Sequence, residues 1–199
     1  MANAQRKREI LAAALELFAE RGYRATGMED IASAVGMRAS SLYNHVRSKD
    51  QVPTELCVSW LRELLETFDA AMAHAPAIAP AGRLVCAMRV HVSFHAENSL
   101  AVRVVNNEVN SLTPANRAMV TELRRDYARR FAKIVGAGVE SGDFQVADLT
   151  IAVYALIDMG HGVARWFDPA GSYSAAQLGE IYSGFALGIV GYPATGRAR

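Results

Sequence analysis

The side chains best suited to molecular recognition lie close together between residues 38 and 45. Six of them would face outward from a short helix: Arg38, Ser40, Ser41, Tyr43, Asn44 and His45. Leu42 and Val46, four residues apart, would face inward. A helix so short and polar gains little from burial, whereas its small residues allow a close approach to base edges in the major groove of DNA. The stretch therefore predicts a recognition helix.

A second group of polar residues interrupts otherwise apolar helices further along the chain. It comprises His91, His95, Asn106, Tyr127, Asp158, His161 and Trp166. Apolar walls with a few polar groups are typical of a small-molecule pocket, so we expect this set to line one. The alternative stays open for each member, because a single such residue is more often a satisfied group of a core or interface.

Catalytic and metal-binding patterns are not evident. His91 and His95 have the spacing of two metal ligands on one helix, but no third ligand accompanies them. Cys57 and Cys86 are too far apart for a CxxC pair. Nucleophile elbows, phosphate loops and nucleotide-binding glycine patterns are missing from the sequence. We therefore expect no enzyme activity, no metal and no cofactor.

The composition sets the class of protein. The 199 residues are 51% hydrophobic and 21% charged, with a net charge of +1, which excludes a disordered chain and a histone-like binder. The longest uncharged run, residues 181–196, is interrupted by glycines and shorter than the ~20 apolar residues of a membrane span. The first residues are polar and basic, unlike a signal peptide. These features predict a cytoplasmic protein without a membrane segment.

The elements that would position these residues are all helices. Alanine is abundant and sustained strand alternation is missing, so the fold class is all-α with about nine helices. The predicted ranges are 5–21, 26–36, 39–46, 48–72, 83–96, 99–111, 114–141, 147–167 and 174–190. We also expect a proline-marked linker at 74–82 and a frayed tail at 194–199.

Local signals define the first four helices. Thr26 with Glu29, and Ser48 with Gln51, have the spacing of capping boxes that would open the second and fourth helices. Gly36 can adopt the left-handed conformation of a tight turn between the second and third helices. Three short helices with such a turn form a helix-turn-helix pattern.

Residues 22–32 and 36–52 resemble the signature of the TetR family, and the similarity extends over residues 6–52. The resemblance implies a DNA-binding head in which the Tyr43 hydroxyl, the Lys49 ammonium group and the Thr26 hydroxyl contact phosphates. It assigns base reading to Arg38, Ser40, Ser41 and Asn44. The alternative is that Tyr43 and His45 only pack against the first helix. For His45 and Asn44, a structural role and a DNA-binding role both stay open.

Three residues depart from the family pattern. Val46 and Val52 replace a usual phenylalanine and leucine, which predicts a less filled core. Pro53 removes a backbone donor near the start of the fourth helix.

The last two helices are predicted to join two copies of the chain. Residues 151–157 are apolar nearly all round, and a helix without a polar face must be buried on several sides. The family resemblance likewise implies a homodimer through a bundle of the last two helices. Residues 92–97 and 165–171 resemble a subgroup linked to fatty-acid or sterol breakdown, whose members respond to acyl-CoA thioesters.

Together these features predict a homodimeric repressor that a small-molecule effector releases from operator DNA. The helix-turn-helix domain would comprise residues 1–50, and the ligand-binding and dimerisation domain residues 51–199. The alternative is an enzyme or small-molecule carrier that shares only the helical body. Residues 36–49 favour the regulator, because a carrier has no use for an exposed, polar, short helix.

Overall fold

The structure is a computed structural model that describes residues 2–73, 75 and 79–193. Residues 74 and 76–78 of the predicted linker, and the whole predicted tail, therefore lie outside the described residues. All regular structure in those ranges is helical, as predicted. The α-helices are α1 (Ala2–Arg21), α2 (Met28–Ala34), α3 (Ala39–Leu42), α4 (Gln51–Ala73), α5 (Pro80–Glu97), α6 (Ser99–Glu108), α7 (Pro114–Glu140), α8 (Leu149–His161) and α9 (Ala175–Ile189).

Most helix boundaries differ from the predicted ones by one to six residues, and three of the differences have a local reason. Helix α5 begins at Pro80 rather than residue 83, because proline at a first helical position loses no hydrogen bond. Helices α6 and α8 are shorter than predicted and continue as 3-10 turns, Val109–Ser111 and Gly162–Arg165. Such turns commonly tighten the last part of an α-helix.

Neither predicted capping box forms with the predicted pair of residues. The cap of α2 is Gly27, whose amide donates to Asp30 Oδ2 at 2.6 Å, and not Thr26. The Thr26 hydroxyl instead donates to the carbonyl of Gly22 at 3.0 Å, which ties it to the end of α1. Before α4, the Gln51 side chain accepts from the Arg47 amide at 2.8 Å rather than from Ser48.

The contacts divide the chain into two compact units. The first contains the residues up to Arg62 together with Leu100–Leu123, and the second contains Glu63–Ser99 and the residues from Arg124 onward. Helix α6 thus belongs to the first unit. Val104 of α6 lies in the same apolar cluster as Ile10, Ile31 and Leu42.

The core of the first unit includes the two valines that replace larger residues in the family pattern. Val46 and Val52 are both 0% exposed. Leu42 and Val46 hold the inner side of the turn that contains α3, because each packs in the same cluster as Ile31 of α2. The inward-facing positions predicted for α3 are therefore confirmed.

The second unit is organised around α5. This helix packs against α8 and most extensively against α9. At Gly179 a Cβ atom would lie 3.2 Å from the backbone of Arg89, so glycine permits this close packing of α9 on α5. Leu84, Met88 and Leu156 are fully buried in the unit.

Candidate functional site

The turn before α3 has the geometry that its glycine requires. Gly36 adopts φ +65°, a left-handed conformation that residues with a Cβ rarely adopt. The Met37 amide then donates to the Ala32 carbonyl at 2.8 Å, which closes the turn on α2. The helix-turn-helix geometry predicted for this segment is therefore present.

Helix α3 is short, and a hydrogen-bonded turn extends it. The amides of His45 and Val46 donate to the Leu42 carbonyl at 2.9 and 3.0 Å. With Leu42 and Val46 buried, the opposite side presents the polar residues. Arg38, Ser40, Tyr43 and Asn44 are exposed, and Ser41 and His45 are half-buried. The described structure thus displays most of the predicted DNA-contacting side chains on one short segment.

Two of these residues have different surroundings. The Tyr43 side chain is 50% exposed, so its hydroxyl is not held in the core. The Nδ1 atom of His45 is buried and has no hydrogen-bond partner among the described residues. This burial favours a packing role for His45 over a role in DNA contact.

Thr26 does not expose its hydroxyl. The residue is 0% exposed, and the hydroxyl donates to the carbonyls of Gly22 and Leu17. A phosphate contact by this group is therefore excluded in this conformation. The N-terminus of α2 already carries the carboxylates of Glu29 and Asp30, which occupy the positive end of the helix dipole.

Lys49 is held by two groups that the sequence analysis did not identify. Its ammonium group lies 4.6 Å from the centre of the Tyr23 ring and donates to the Arg24 carbonyl at 3.2 Å. The Tyr23 hydroxyl donates to the Asp50 carboxylate. Burial and this bond raise the pKa of Tyr23 to about 12. Tyr23 thereby joins the loop after α1 to the residues that precede α4 and orients Lys49.

The second unit contains a buried polar cluster at the centre of the predicted effector set. His91 is 0% exposed, and its Nε2 lies 3.0 Å from the Ile157 carbonyl. Because a carbonyl only accepts, Nε2 carries the proton, and the Tyr127 hydroxyl donates to Nδ1 at 2.9 Å. One imidazole therefore links α5, α7 and α8.

The other histidines extend this cluster. His95 donates from Nδ1 to the His91 carbonyl at 2.7 Å, and its ring centre lies 5.3 Å from that of His161. The close approach of α8 depends on Gly160, since a Cβ there would lie 2.3 Å from the His91 ring. Burial lowers the pKa of His91 to about 4 and that of His95 well below its ordinary value. Both rings are therefore neutral at pH 7.

The remaining predicted effector residues do not join this cluster. Asp158 is exposed, and Trp166 is 53% exposed. Asn106 lies on α6 in the first unit. The structure thus brings together His91, His95, Tyr127 and His161. Among the residues it describes, no group of three or more His, Cys, Asp or Glu side chains is suited to a metal ion.

Helices α8 and α9 carry large apolar side chains on their outer faces. Ile151 is 66% exposed and Tyr154 49% exposed on α8, and Phe185 is 56% exposed on α9. At Gly184 and Gly188 a Cβ atom would meet open space. In the parts of the chain that the structure describes, no helix is long and apolar enough to span a membrane.

Two family models cover most of the chain. Residues 10–56 match the bacterial regulatory proteins of the tetR family, and residues 77–190 match the tetracyclin repressor-like C-terminal domain. The first model covers α3 and its glycine turn, and the second covers the buried histidine cluster.

Individual proteins of known sequence or structure are similar to this chain over nearly its whole length. The HTH-type transcriptional repressor KstR2 of Rhodococcus jostii is 30% identical over 92% of this chain and 89% of its own length. A tetR-family regulatory protein from Rhodococcus RHA1 has a solved structure with a TM-score of 0.86 and 32% identity, covering 94% of this chain and 97% of that one.

A further solved structure contains ligands. AibR in complex with isovaleryl coenzyme A and operator DNA has a TM-score of 0.79 and 25% identity, covering 94% of this chain and 100% of that one. The exposed polar α3, the two family matches and the full-length similarity to a repressor lead to one conclusion. This chain belongs to the TetR family of bacterial transcriptional regulators, which are DNA-binding proteins and not enzymes.

Proposed function

We propose that this regulator is a cytoplasmic homodimer that represses transcription by binding operator DNA, and that a small molecule releases it. In this proposal residues 1–50 bind DNA, and residues 51–199 bind the effector and form the dimer. The observation that carries the proposal is the exposed polar face of α3, which is displayed by a turn whose inner residues are fully buried.

The proposed contacts with DNA use the side chains that α3 and the residues before α4 leave accessible. Tyr43 and Lys49 would contact phosphates, and these contacts position the domain without reading sequence. Arg38, Ser40, Ser41 and Asn44 would read base edges, with arginine favouring guanine and asparagine favouring adenine. Lys49 is suited to its role, because the Tyr23 ring and the Arg24 carbonyl already restrict its side chain. That restriction reduces the entropy lost on binding.

Dimerisation through α8 and α9 is supported by the side chains exposed there. Ile151, Tyr154 and Phe185 expose large apolar side chains to water in a single chain. Small residues beside them, Gly184 and Gly188, allow close helix approach. A two-fold dimer would also place two recognition helices on half-sites about one helical turn of DNA apart.

We propose that the effector is an apolar acyl-CoA thioester. AibR, which shares this fold, is known as a complex with isovaleryl coenzyme A and operator DNA. The half-buried His161 would supply a polar group for a thioester carbonyl or a hydroxyl, within apolar walls, and His91 and Tyr127 would support it from the buried side of the cluster. The effector would shift the equilibrium towards the conformation that does not fit the operator. A 100-fold preference for that conformation corresponds to roughly 2.7 kcal/mol of coupling.

The test combines a gel shift on DNA from the chain's own promoter region with a panel of acyl-CoAs. We expect salt-sensitive binding of that DNA and its release by at least one member of the panel. His161→Ala should weaken the release without changing operator affinity when no effector is present. The absence of any specific promoter complex would refute the regulatory site, and the absence of release by every acyl-CoA would refute the effector class.

A further inference from the structure

A cavity of about 420 Å³ opens in the second unit between α4, the start of α5 and α7. Its charged lining consists of four cations and two carboxylates: Arg83, Arg129, Arg130, Lys133, Asp69 and Asp126. Its apolar lining includes Phe68, Met72 and Ile134. A cavity with an apolar wall and an excess of positive charge is suited to an organic anion.

The two carboxylates are already matched by two of the guanidinium groups. Arg130 donates from Nε and Nη2 to the two oxygens of Asp69, both at 2.7 Å. Arg130 also pairs with Asp126 at 2.9 Å, and Arg129 pairs with the same carboxylate at 3.2 Å. These contacts lower the pKa of both aspartates and raise that of Arg130. All four groups therefore stay charged at neutral pH.

Arg83 and Lys133 provide the excess positive charge. Arg83 is half-buried and donates from Nη1 to the Ala75 carbonyl at 2.8 Å, which fixes the guanidinium while leaving its other donors available. Lys133 is exposed and helps to lower the pKa of Asp69, but among the residues that the structure describes it makes no direct salt bridge. One cation is thus held in place, and the other is able to move towards a ligand.

The apolar wall leads from these cations towards the buried histidine cluster. The ring of Phe68 lies 5.4 Å, centre to centre, from both Tyr127 and Phe131. Tyr127 in turn donates to His91. A coenzyme A whose phosphates lie on Arg83 and Lys133 would therefore have the start of its pantetheine arm beside Phe68, on the side of the cavity nearest the proposed effector groups.

We propose that this cavity is a phosphate subsite, in which Arg83 and Lys133 bind the phosphate groups of a coenzyme A thioester. The inference rests on the proposed effector class and adds the residues that recognise its nucleotide half. Phosphate requires cations that are not already neutralised, and Arg83 and Lys133 share one cavity. Arg89, by contrast, pairs with Glu180 on α9 and provides a matched control on the same helix as Arg83.

The experiment is calorimetric titration of the full-length protein with coenzyme A at low salt, followed by pantetheine, which lacks the phosphates. We expect coenzyme A to bind and pantetheine not to bind measurably. Arg83→Gln and Lys133→Gln should each weaken coenzyme A binding about tenfold, the usual scale of a lost charge-assisted contact. Arg89→Gln should leave it unchanged.

Three results would overturn the inference: no binding of coenzyme A, equal binding by both variants and wild type, or a loss of the same size in the control Arg89→Gln. Titration with inorganic phosphate and ADP separates the two possible sources of the phosphate. We expect coenzyme A to bind more tightly than either; equal binding of ADP would instead assign the cavity to free nucleotides and overturn the proposal.

The failure of this subsite is distinguishable from the failure of the proposed function. If an acyl-CoA releases DNA from wild type and from Arg83→Gln at the same concentration, the effector class stands and the subsite is refuted. If no acyl-CoA releases DNA while coenzyme A binding still depends on Arg83 and Lys133, the subsite stands and the effector class is refuted.

Discussion

The hydrogen bond from Tyr127 to His91 offers a direct test of the buried cluster. Tyr127 is 3% exposed, and its hydroxyl donates to His91 Nδ1 at 2.9 Å. Replacing it with phenylalanine removes one oxygen and keeps the ring, whose centre lies 5.4 Å from that of Phe68 and 5.6 Å from that of Phe131. The substitution therefore isolates the hydrogen bond from the packing around it.

The expected loss of stability follows from the His91 Nδ1 atom, which the substitution leaves without a hydrogen-bond donor. In Tyr127→Phe, the Nδ1 atom of the fully buried His91 would have no donor, because Nε2 is already committed to the Ile157 carbonyl. Leaving a buried polar atom unsatisfied costs about 1–3 kcal/mol. We expect the free energy of unfolding to fall by about 2 kcal/mol.

The assay is urea unfolding at pH 7.5, at one fixed protein concentration because a dimer's stability depends on concentration. Tyr173→Phe is the matched control, since Tyr173 is 52% exposed and should change stability by less than about 0.5 kcal/mol. In a double-mutant cycle with His91→Phe, the two losses should not add. A loss below about 0.5 kcal/mol for Tyr127→Phe, or full additivity, would refute the hydrogen bond.

Three further predictions concern pH, DNA reading and assembly. Burial lowers the pKa of His91 from 6.5 to about 4, so its contribution to stability is complete above pH 6.5 and is lost as the pH falls from there through 4. This loss amounts to about 3 kcal/mol, and buried His95 adds to it because burial lowers its pKa too. In urea titrations from pH 7.5 to pH 4, His91→Phe should therefore lose about 3 kcal/mol less stability than wild type. Tyr43→Phe should weaken binding to all DNA sequences by about 1 kcal/mol, whereas Arg38→Ala should lose about 1–3 kcal/mol of discrimination at particular operator positions. Binding titrations on a panel of operator mutants distinguish these two effects. A uniform loss of affinity in Arg38→Ala would make Arg38 a phosphate contact. Phe185→Glu should split the dimer in sedimentation, because an unpaired charge at an apolar interface costs several kcal/mol; wild-type monomers at micromolar concentration would contradict this.

Local physics made much of the fold predictable. Helical periodicity depends on residues three or four positions apart, so most helices could be located from the sequence. Gly36 could be assigned to its turn because few other residues adopt positive φ without strain. The caps were harder to predict, because the Thr26 hydroxyl has two possible partners nearby: the amides at the start of α2 and the carbonyls at the end of α1. The hydroxyl bonds the end of α1, and the cap moves to Gly27.

The partners of the candidate site residues were not predictable in the same way. Tyr23 is 26 residues away from Lys49 and 27 from Asp50, and only the closed head brings their side chains together. The presence of Tyr23 in the family-like segment was a signal that it mattered, but not that it holds Lys49. Pairs of residues so far apart in the chain leave no periodic pattern in the sequence from which their contact could be predicted.

The sequence alone determined the all-α class, the position of the recognition segment and its TetR resemblance, because each depends on short-range order or on a contiguous motif. Tertiary structure decided which polar residues of the body meet. It buries His91 between Tyr127 and Ile157, leaves Asp158 at the surface and places Asn106 in the first unit. The physical reason is that a helix repeat fixes the side of the helix on which a residue lies, whereas its neighbours depend on how distant helices pack.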